Sequence, residues 1–106
     1  MFNKLLAVVS MLLFMSNTHA FLDDPRRPFD ATQNLHQEMR IKWIVTANLQ
    51  DTCEQESRRR GFNGFNHPVT GCSFWRGKDC VIVTNQMPTM HTLGHEIRHC
   101  FQGNWH

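Results

Sequence analysis

His95 and His99 stand four residues apart in the run His95-Glu96-Ile97-Arg98-His99, with a carboxylate next to the first imidazole. In an α-helix four residues make slightly more than one turn, so the two rings share a face and can reach a single ion. Imidazoles suit zinc, and a zinc site that does chemistry uses three protein ligands and keeps a fourth position for water. Glu96 is placed beside the pair, where a carboxylate can act on water rather than on the ion. His106 is the expected third ligand. Gly103 can take the left-handed conformation that ends a helix and turns the chain, and three more residues then bring His106 back. His91, one turn before His95, is the rival ligand, but three ligands along one straight helix do not close easily on one ion. His36 and His67 fall in segments that read as flexible and are expected at the surface.

These residues need a helix with a buried side. Pro88 opens a helix of about 89–102 and Gly103 closes it. Its apolar residues Met90, Leu93, Ile97, Cys100 and Phe101 point on average away from the two histidines, so the helix can pack one side and present the other. Ahead of it, Cys72-Ser73-Phe74-Trp75 and Cys80-Val81-Ile82-Val83-Thr84 flank Arg76-Gly77-Lys78-Asp79, the pattern of a hairpin. Residues 61–71 read as a loop. Residues 48–60 read as a helix stopped by Gly61, and 41–46 read as a strand. Residues 21–38 contain two prolines and little apolar periodicity and read as an extended or mobile lead-in. The order β-α-β-β-α predicts a small α+β domain over 39–106 with a mainly antiparallel sheet, the HExxH run on its C-terminal helix, and disulfide staples.

The stretch His95-Glu96-Ile97-Arg98-His99-Cys100-Phe101-Gln102-Gly103-Asn104-Trp105-His106 resembles the zinc-binding segment of the zincin metallopeptidases, most closely the metzincin spelling HExxHxxGxxH. The resemblance covers about 12 residues and the strand, hairpin and helix order before them. It implies His95, His99 and His106 as zinc ligands and Glu96 as general base. It departs from the metzincin pattern by one inserted residue between His99 and Gly103, and no Met-turn follows His106.

The N-terminus bears on the compartment. Lys4, the apolar run 5–15 and the small residues Thr18 and Ala20 form the three-part pattern of a secretory signal peptide over 1–20, cut after Ala20. A membrane-spanning helix needs about 20 apolar residues, more than this run supplies, so no span is expected after cleavage. Export to a periplasmic or extracellular space is expected. Loss of Lys4 lowers the formal net charge of +2 by one, which gives no case for nucleic-acid binding. The run Arg58-Arg59-Arg60 reads as a solvated helix end.

All 4 cysteines lie beyond the cut, and in an oxidising compartment they are expected to pair. Cys100 lies on the apolar face of the last helix. Position 100 is about 16 Å along the helix axis from position 89, and the strand from 84 back to 80 covers about 13 Å, so Cys100 should sit above Cys80. That pairs Cys80 with Cys100 and leaves Cys53 for Cys72. Together these readings point to an exported zinc-dependent hydrolase that cleaves peptide or protein substrates. The alternatives are a non-catalytic exported zinc-binding or interaction protein, and a disulfide-stapled binding module without metal. The oligomeric state is left open.

Overall fold

The run Asp79-Cys80-Val81-Ile82-Val83-Thr84 has no polar face between its ends, and a strand of that kind belongs in the middle of a sheet. In a computed structural model, which describes residues 26–106, it does. Strands β1 (Arg40–Val45), β2 (Cys72–Arg76) and β3 (Asp79–Thr84) form one sheet in the order β1-β3-β2. Helix α1 (Leu49–Arg59) lies between β1 and β2, and helix α2 (Met90–Gln102) follows β3. The signal-peptide reading of residues 1–20, with its cut after Ala20, lies outside the described residues.

The sheet is mixed rather than mainly antiparallel. β2 and β3 pair antiparallel as a hairpin, but β1 pairs parallel with β3, Arg40 opposite Asp79 through Val45 opposite Thr84. The reason lies in burial. β3 is the strand with apolar residues on both faces, so it takes the centre, and the hairpin must then insert its second strand beside β1. Helix α1, the loop after it and β2 together make the connection that a parallel pair requires. The hairpin turns at Gly77, whose φ of 58° suits a two-residue loop.

Alternation along β3 divides the core in two. Val83 packs with Cys53, Cys72 and Phe74, flanked by Leu49 and Ile44, on the side of α1. Cys80 and Ile82 pack with Cys100, flanked by Trp75, Leu93, Ile97 and Phe101, on the side of α2. Each helix is joined to the sheet by one disulfide, Cys53–Cys72 for α1 and Cys80–Cys100 for α2; the second is the pair expected from strand and helix registration and the first the pair that this left over. Met90, expected on the core-facing side of α2, is 82% exposed. It sits at the first helical position, beyond the sheet's reach, so the packed side begins at Leu93.

The compact unit runs from Ala31 to Gly103, while the described residues 26–30 and 104–106 fall outside it. The expected lead-in is therefore partly structured. Ala31–Gln33 form a short 3-10 turn, Leu35 N–H donates to Phe101 O at 2.8 Å, and Gln102 Nε2 donates to Asn34 Oδ1 at 2.8 Å. These bonds attach residues 34–35 to the last turn of α2.

Candidate metal centre

Helix α2 begins with a cap that the sequence reading did not single out. Thr89 Oγ1 accepts from Thr92 N–H at 3.0 Å, satisfying one of the donors left over at the helix start. The helix then runs unbroken past His91, His95 and His99 to Gly103. The rings of His95 and His99 lie 5.0 Å apart, and those of His91 and His95 6.4 Å apart, so the three form a row on one side.

The structure brings His95, His99 and His106 together. One ring nitrogen from each lies within 4.8 Å of the others, close enough for the three to hold a metal ion. His95 and His106 are partly buried, and His99 is the most enclosed of the three. His91 is exposed and is not one of the three. His67 is exposed, its Nδ1 2.9 Å from Pro68 O, and His36 is partly buried; neither joins the group.

His99 is held on several sides. Its Nδ1 donates to Gly103 O at 2.7 Å, and Gly103 N–H donates to His99 O at 2.8 Å. A proton held on Nδ1 makes Nε2 the nitrogen with the lone pair, the usual way in which a ligand imidazole is oriented. The bond requires the chain to turn sharply, and Gly103 has φ 63° and ψ −134°, a region that L side chains avoid. The indole of Trp75 lies parallel to the His99 ring, 4° between planes and 5.5 Å between centroids. Beyond Gly103, the rings of Trp105 and His106 meet edge to face at 4.6 Å.

Glu96 points toward the sheet. It is 6% exposed, and its Cγ lies so close to Gly71 that a Cβ there would come within 3.1 Å. Burial pushes its carboxyl pKa above the ordinary value, and a hydrogen bond with Ser73 works against that rise. Glu96 is therefore a desolvated acid next to the histidine group, with Ser73 as its neighbour.

Ser73 and Trp75 are the site residues that sequence reading passed over. The signal for them was present: they alternate with Cys72 and Phe74 along β2, so once Cys72 faces α1 both must face α2. Comparisons with protein-family models, curated proteins and solved structures return no match for this chain.

Proposed function

We propose that the protein is an exported zinc-dependent hydrolase of metallopeptidase type, with His95, His99 and His106 as ligands and Glu96 as general base. The observation that carries the reading is the convergence of three imidazoles, which form the metal-ligating group found among the described residues. Three histidines are a donor set that zinc favours, and a three-ligand site leaves a position open where a structural site would close it. A zinc ion held by His95, His99 and His106 would supply an acidified water and a Lewis acid for a carbonyl. Glu96 takes the proton at a carboxylate oxygen and delivers it to the leaving amine. β2 is an edge of the sheet and borders α2, so an extended peptide could align along it by strand addition. Export is supported by the two disulfides, which persist in oxidising compartments. Among the described residues no helix is long and apolar enough to cross a membrane.

A second reading, a non-catalytic protein that binds metal for stability, draws support from Glu96, whose side chain packs on Gly71 and bonds to Ser73 as a structural acid would. Zinc stoichiometry of the purified protein, followed by cleavage of a mixed peptide library with wild type and Glu96→Gln, separates the two. One zinc per chain and turnover that falls about 10²–10⁴-fold in the variant supports the hydrolase. Zinc without turnover in either protein supports the structural reading, and no zinc overturns both.

A further inference from the structure

Trp75 touches the proposed ligand His99 and also the residue that orients it. Its indole stacks on the His99 ring, and a Cβ built on Gly103 would lie 3.5 Å from Trp75 Nε1. The indole thus backs both partners of the hydrogen bond from His99 Nδ1 to Gly103 O. Its own position is fixed through a closed circuit of bonds. Trp75 pairs with Cys80 across the hairpin, Cys80 is disulfide-bonded to Cys100, and Cys100 follows His99 on the helix. Strand pairing and a covalent bond therefore hold the indole against the imidazole from both ends.

We propose that Trp75 is a positioning residue for the metal site, setting the plane of the His99 ring and favouring its metal-bound form. This rests on the metal-binding reading above. A stacked ring leaves the imidazole its in-plane directions for ligation while blocking rotation out of plane. A metal-bound imidazole also carries part of the ion's positive charge, and the face of an indole attracts positive charge more strongly than any other side-chain ring. An aliphatic residue of similar bulk fills the space but supplies neither effect in full.

The test measures Zn²⁺ affinity of the full chain by competition with a chromophoric chelator, in wild type and in Trp75→Phe, Trp75→Leu and Trp75→Ala. Peptide mapping of Cys80–Cys100 and far-UV circular dichroism check the fold of each. Partners that orient a metal ligand typically contribute 10–100-fold in affinity, so Trp75→Ala and Trp75→Leu should weaken Zn²⁺ binding by that factor, with Trp75→Phe restoring most of it. The Co²⁺ absorption spectrum should change in the Leu variant and stay close to wild type in the Phe variant, a response that loss of bulk packing would not produce. Should the Ala variant fail to fold, Phe against Leu decides. Equal Zn²⁺ affinity for Leu and Phe, or for Ala and wild type, overturns the proposal and leaves the metal site standing. A wild-type protein that takes up no Zn²⁺ overturns the metal reading and this inference with it.

Discussion

His99 and Gly103 exchange two hydrogen bonds, the Gly103 N–H to the His99 carbonyl at 2.8 Å and the His99 Nδ1–H to the Gly103 carbonyl at 2.7 Å. The same glycine thus closes helix α2 and sets which nitrogen its last histidine presents. Replacing Gly103 by Ala should therefore have two effects. Strain from a side chain at φ 63° should lower stability by about 1–3 kcal/mol, since the new Cβ meets Leu35 and Trp75 only at ordinary contact distance. Zn²⁺ affinity should fall as well, because relaxing the turn pulls the carbonyl from Nδ1. Urea unfolding and chelator competition measure the two; unchanged Zn²⁺ affinity in a destabilised variant would separate the turn from the ligand.

The ligand assignment makes a graded expectation. His95→Ala and His99→Ala should abolish tight Zn²⁺ binding, His106→Ala should weaken it strongly, and His36→Ala and His91→Ala should leave it near wild type. Isothermal titration with Zn²⁺ reads the series. A His91→Ala variant as impaired as His106→Ala would move the third ligand from the chain's last residues back onto α2.

The disulfide Cys80–Cys100 closes a loop of 20 residues. Loops of that size contribute about 3 kcal/mol through the unfolded state, so Cys80→Ser with Cys100→Ser should lower stability by an amount of that order. Since Cys100 follows His99, the double variant should also lose Zn²⁺ affinity. Cys53→Ser with Cys72→Ser, on the opposite face of the sheet, should destabilise the fold with little effect on Zn²⁺ affinity in the fraction that stays folded.

The pH dependence of stability should show the ion pairs at the end of α1. Hydrogen bonding to Arg60 above all, with the charges of Arg60 and Arg59, holds the Glu56 carboxyl below its ordinary pKa, although burial opposes it. A carboxyl depressed in the folded state binds its proton more weakly there than in the unfolded chain. Its contribution is therefore present above the ordinary glutamate range and is lost as pH falls through the folded value. Glu56→Gln should lower stability at pH 7 by about 0.5–1 kcal/mol and make no difference in strong acid. Urea midpoints across pH give the comparison, and a difference that persists at the acid end would assign the effect to packing.

The elements of this fold are largely legible in the sequence, because each has a local cause. Gly61 and Gly103 end the helices, Gly77 turns the hairpin, and Cys72 and Asp79 stand where its strands begin. Pairing partners are less legible. Nothing local in Arg40–Val45 states that it will lie parallel to β3; that follows from which strand is buried on both faces once three are assembled. The histidine group was legible because helical spacing and the turn at Gly103 are local. The stack of Trp75 on His99 was not, since it depends on β2 lying under α2, a relation between elements.

The parallel pairing of β1 with β3 has a kinetic consequence. The pair joins residues such as Arg40 and Asp79, 39 positions apart, whereas the β2–β3 hairpin closes through a two-residue turn. Chain-closure entropy makes the distant pairing the slow one. The hairpin should form early and wait with one side of its inner strand unpaired, a surface able to recruit strands from other chains. Of the three strands β1 emerges first during synthesis, yet its pairing with β3 is the one expected to close last, which would leave the most apolar strand with a vacant neighbour until then. Conditions that prolong that stage should favour aggregation over refolding.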